Sequence, residues 1–107
     1  MGRKATVGGK AAEHSQFARE ITAYLNRVRE DSNLSVRGVS AQTVGERSNS
    51  WWADIFNGSK ILTTSDIDYI ATELLGVTPY RFVDNARKFA EGLETPPARF
   101  YVRALDD

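Results

Sequence analysis

Hydroxyls, amides and a carboxylate crowd into one short stretch, SNSWWADIFNGSK at residues 48–60, around both tryptophans of the chain. On a helix advancing about 100° per residue, Ser50, Asp54 and Asn57 fall on one side, and Trp52, Ile55 and Phe56 on the other. The second set is a packing stripe. The first is a row of hydrogen-bonding groups suited to non-covalent contact with something polar outside the chain. Trp51 and Ala53 stand at the borders, so the two indoles have different tasks.

Cysteine- and histidine-based chemistry lacks the residues it needs. There is no cysteine and one histidine, His14, near the N-terminus. Disulfides and thiolate sites are excluded, and a histidine triad or metal centre has no partners to draw on. No glycine-rich phosphate loop follows a strand. The acidic pair Asp66 and Asp68 sits at a helix start, where capping and the helix dipole already account for it. An enzyme is not expected, nor is a metal or cofactor.

The elements that must position these groups are helical. From Ser15, Phe17, Ile21, Leu25 and Val28 recur at helical spacing with Tyr24 on the flank, and Asp31-Ser32-Asn33 stops the run. Ser35 caps a shorter second helix with Val36, Val39, Ser40, Thr43 and Val44 inward, and Gly45 as its stop. Gly38 inside it costs about 1 kcal/mol against alanine, so this helix depends on its neighbours. Ser48 caps the third helix and Gly58 closes it. Thr63 and Asp66 have capping-box spacing before a fourth helix, with Ile67, Ile70, Ala71 and Leu74 inward and Gly76 at its end. Thr78-Pro79 opens a fifth, running through Phe82, Val83, Ala86, Phe89 and Ala90 to Gly92. ETPPA cannot be helical across its prolines, and RFYVRAL reads as a short strand or an extended tail.

The expected class is therefore all-α, one compact five-helix domain, which 107 residues suffice to build around one core. Its parts are a flexible basic arm over residues 1–14, the helical domain over 15–92, and a tail over 93–107. No apolar run approaches the roughly 20 residues of a membrane span. The absence of cysteine fits a reducing compartment, and the cytoplasm is the expected location. Formal net charge is zero, but residues 1–60 hold nine Lys and Arg against six acids, and residues 61–107 five against eight. That asymmetry can give a neutral molecule one basic face.

From Leu34 to Val77 the sequence resembles the Cro/repressor-type helix-turn-helix regulators of phages and bacteria. The likeness is carried by Leu34-Ser35, by small Ser40 where that family keeps alanine, by SNSWWADIFNGSK, and by TTSDIDYIATELLGVTP with its Leu-Gly-Val-Thr-Pro ending. It implies a lambda-repressor-like fold that binds double-stranded operator DNA and regulates transcription, with a recognition helix over about 49–57 in the major groove. By the same resemblance Asn49, Ser50, Trp51 and Asp54 meet bases, and Ser35, Arg37, Arg47, Ser48, Asn57 and Lys60 meet phosphates.

There are departures. Val36 stands where the family usually carries a phosphate-binding glutamine, with Arg37 beside it as a substitute. The link between second and third helices is longer than usual. An acid at Asp54 can accept from cytosine N4 or steer Arg47. Such proteins usually pair, so a homodimer on DNA is expected, joined through the fifth helix with Phe82 and Phe89 or through Phe100-Tyr101-Val102. The alternative is an antitoxin-type interaction module whose tail, ETPPARFYVRALDD, binds a partner protein.

Overall fold

Among the described residues, five hydroxyls set five helix starts. The computed structural model describes residues 15–43 and 46–100. Its helices are α1 (Gln16–Asp31), α2 (Val36–Gln42), α3 (Asn49–Phe56), α4 (Thr64–Asp68, continuing as a π-helical stretch Tyr69–Leu75) and α5 (Pro79–Ala90). Ser15, Ser35, Ser48, Thr63 and Thr78 each accept a bond from the backbone N–H three residues on, satisfying donors that the helix itself leaves unpaired. At α4 the box is reciprocal: Asp66 Oδ2 accepts the Thr63 N–H at 3.1 Å. Gly58 and Gly76 end α3 and α4 with φ of 83° and 71°, a left-handed geometry that side-chain-bearing residues rarely adopt.

α1 packs along α5, α2 packs on α3, and α1 also touches α3. The core between them holds Leu25, Val28, Val39, Trp52, Ile55, Ile70, Leu74 and Phe82. Gly38 leaves room at the start of α2. A Cβ there would lie 3.3 Å from both Leu34 Cδ2 and the Ser35 cap oxygen. On the exposed side of α5, Arg87 bridges Asp84 and Glu91. Hydrogen bonds from Arg87 and then Lys88 hold the Asp84 carboxyl below its ordinary range.

Several inward residues differ from expectation. Phe17 is 52% exposed. It sits in the first turn of α1, where it lies between shallow apolar grooves lined by Ile61, Leu62 and Ile67 on one side and Val83 and Ala86 on the other. Tyr24, a flank residue in the sequence pattern, is buried instead, with its ring 5.6 Å from Phe82 and 6.1 Å from Phe89. On α5, Ala90 is exposed while Asn85 is buried. The Asn85 side chain lies beside the Tyr24 hydroxyl, so the two buried polar groups are neighbours in the core. The second helix ends at Gln42, with Thr43 as its cap; Val44 and Gly45 lie outside the described residues.

Residues 93–100 run without helix, and no strand occurs among the described residues. Phe100 turns into the core, ring edge to Trp52 at 5.9 Å, while its N–H donates to Ser32 Oγ at 3.1 Å. The arm and residues 101–107 lie outside the described residues. No described helix is long and apolar enough to cross a membrane.

Candidate functional site

α3 has the two faces that its spacing requires. Trp52, Ile55 and Phe56 are buried. Ser48, Asn49, Ser50, Asp54 and Asn57 are exposed, so of the residues expected to meet bases only Trp51 is partly covered. Trp51 is half-buried at the border, edge-on to Trp52 with ring centroids 4.9 Å apart.

Two groups on α1 hold the far end of this helix. Asn26 Nδ2 donates to the Phe56 carbonyl at 2.9 Å and to Thr22 O at 3.1 Å. Arg29 covers the Phe56 ring at 5.2 Å while donating to Leu34 O at 3.0 Å and to Asn26 Oδ1 at 3.1 Å. One of the orphan carbonyls of α3 therefore gets a side-chain donor, and its last aromatic gets a cationic lid.

The near end is held by the link before it. Ser40 Oγ donates to Arg47 O at 3.1 Å. The Arg47 guanidinium lies 4.2 Å from the Tyr69 ring centre and 5.2 Å from that of Trp51, with Nη2 3.8 Å from Asp66 Oδ1. The Tyr69 hydroxyl donates to Glu46 Oε1 at 2.7 Å. Asp66 thus caps α4 with one carboxyl oxygen and faces Arg47 with the other.

The phosphate set is divided by this geometry. Ser35 and Ser48 are exposed N-caps at helix starts. Arg37 and Lys60 are exposed, and their side chains have no partner among the described residues. Asn57 is exposed, and its Oδ1 accepts from both the N–H and the hydroxyl of Ser59. Arg47 is the exception: half-buried and wedged between two rings, it serves the link. Asp54 does not steer it, because the acid it meets is Asp66.

Asn26, Arg29, Glu46 and Tyr69 are the positioning residues that sequence spacing does not reveal. Neither Phe82 nor Phe100 offers a self-association surface, since both are buried, and Phe89 is half-buried with Arg27 5.8 Å above its ring. Tyr101 and Val102 lie outside the described residues. The clefts beside residues 94–98 are lined by Tyr24, Arg27, Asn85 and the tail, away from α3. No acidic or histidine cluster suited to a metal occurs among the described residues.

No family model, curated protein or solved structure matches this chain.

Proposed function

We propose that the chain is a sequence-specific, double-stranded-DNA-binding transcription regulator of the helix-turn-helix kind. It lays α3 in the major groove of an operator half-site and acts as a homodimer of the compact Cro or immunity-repressor type. The observation that supports this reading is the two-sidedness of α3: an aromatic face locked into the core, an opposite face on which Ser50, Asp54 and Asn57 are exposed, and an exposed Asn49 in the first turn beside them.

An α-helix fits the major groove of B-DNA, and its N-terminal residues reach base edges first. Asn49 stands at that end and can bond adenine N6 and N7 together; Ser50 can donate or accept. The starts of α2 and α3 present free N–H groups beside Ser35 and Ser48, where phosphate oxygens are favoured. Arg37 and Lys60 are exposed and their charges have no partner among the described residues, so both are free to meet phosphate. Two copies would present their α3 helices about 34 Å apart, one turn of the duplex.

Of the tail, Phe100 is not free to bind a partner protein. Phe100, central to that segment, is spent on Trp52 and Ser32 of the same chain.

The test is binding of a fluorescent duplex pool at increasing salt. Affinity should fall steeply and linearly on logarithmic axes, because counterions are released from each neutralised phosphate. Asn49→Ala should relax base preference at one position of each half-site, while Lys60→Ala should weaken all sequences alike. Binding that ignores salt, or no binding at all, would remove the regulator reading.

A further inference from the structure

Asp54 is the odd member of the open face. Its carboxylate is exposed one helical turn beyond Ser50, and its side chain has no partner among the described residues. Arg47 is committed to Asp66, Trp51 and Tyr69. An unneutralised acid on a surface that meets a polyanion weakens binding to every sequence, unless it finds a donor at a base edge.

The geometry points to Asp54 as a specificity-determining residue that selects duplexes with a cytosine in each half-site opposite its carboxylate; the inference rests on the DNA-binding reading above. A carboxylate at neutral pH only accepts. In the major groove guanine offers the acceptors N7 and O6, and thymine offers O4 beside a methyl group, so both oppose it. Adenine offers the N6 amino group, but the adjacent N7 lone pair faces the second carboxylate oxygen. Cytosine offers N4–H with no acceptor on the same base edge. Asp54 therefore acts mostly by rejection, since every base but cytosine brings a lone pair or a methyl group against the acid.

The experiment is a random-duplex selection run in parallel with the wild-type chain, Asp54→Asn and Asp54→Ala. All three should keep one thermal midpoint, because the substituted side chain is exposed. Wild type should enrich a cytosine at one half-site position, by on the order of tenfold over other bases. Asp54→Asn should move that preference to adenine, whose N6 and N7 a carboxamide can bond together, with the other positions unchanged. Asp54→Ala should lose the preference there and bind unrelated duplexes as well as wild type or better. If wild type selects a site but both variants select the same one, this role for Asp54 is overturned and the DNA-binding reading stands. If wild type enriches no duplex, that reading falls and the Asp54 inference falls with it.

Discussion

The Arg47 guanidinium lies 4.2 Å from the centre of the Tyr69 ring, which joins the link before α3 to the start of the π-helical part of α4. Trp51 stands on the same cation at 5.2 Å, and Asp66 stands 3.8 Å from it. The geometry makes Arg47 a strut for α3 rather than a mobile phosphate contact. Arg47→Ala should lower unfolding free energy by about 1 kcal/mol in urea titration, mostly from lost stacking and stem packing. The long, partly exposed ion pair adds little. Arg47→Lys discriminates: lysine keeps a charge for phosphate but not the planar stack. Stability close to the alanine variant, with a salt slope for duplex binding equal to wild type, is the expected pair of results. Wild-type stability for both variants together with a shallower salt slope for Arg47→Ala would return Arg47 to the phosphate set.

How Arg47 is used also marks the limit of what the chain's order of residues can reveal. Helix starts are local events, so Ser15, Ser35, Ser48, Thr63 and Thr78 could be picked out as caps, and all five bond as their spacing requires. The division of labour between Trp52 and Ser50 is equally local, being a matter of angle around one helix. Arg47 differs, because its ring and acid partners arrive from α4 only once the helices pack. Asn26 reaches a carbonyl thirty residues away. Phe17 fails for a related reason: it continues the α1 stripe in sequence, but the residues of α4 and α5 beside it leave it about half exposed among the described residues.

Asn26 is the hydrogen-bonded tie between α1 and the end of α3. Removing its amide leaves the Phe56 carbonyl without its side-chain donor in a partly buried place. Asn26→Ala should cost about 1–3 kcal/mol in chemical denaturation. Asn26→Asp should cost at least as much at neutral pH, because a carboxylate cannot donate to a carbonyl and would repel it. An aspartate variant as stable as wild type would show that the tie contributes nothing.

The neighbouring indoles should be separable by light. Trp52 has no exposed surface, while Trp51 is half-buried at the edge of the open face. In Trp52→Phe, emission comes from Trp51 alone and should be red-shifted and readily quenched by acrylamide. In Trp51→Phe the remaining signal should be blue-shifted and shielded. Adding duplex should change the first variant's emission and leave the second's nearly untouched. Quenching of the two variants by the same amount would contradict the assignment of one indole to the core and one to the border.

Tyr24 makes stability depend on alkaline pH. Burial pushes its phenol above the ordinary value of 10.0, against a smaller opposing effect from the Asn85 side chain. Folded chains thus hold the proton more tightly than unfolded ones. The protonated phenol's contribution is complete below about pH 10, where the unfolded tyrosine is still protonated. As pH rises past that point, the unfolded state loses protons first and stability falls until the folded phenol also ionises. Urea midpoints measured from pH 8 to 11 should therefore drop more steeply for wild type than for Tyr24→Phe. The phenylalanine variant should begin lower at pH 8, by about 1 kcal/mol, because the buried Asn85 loses the polar neighbour beside it. Parallel curves for the two proteins above pH 10 would show that the Tyr24 phenol is not shifted by its surroundings.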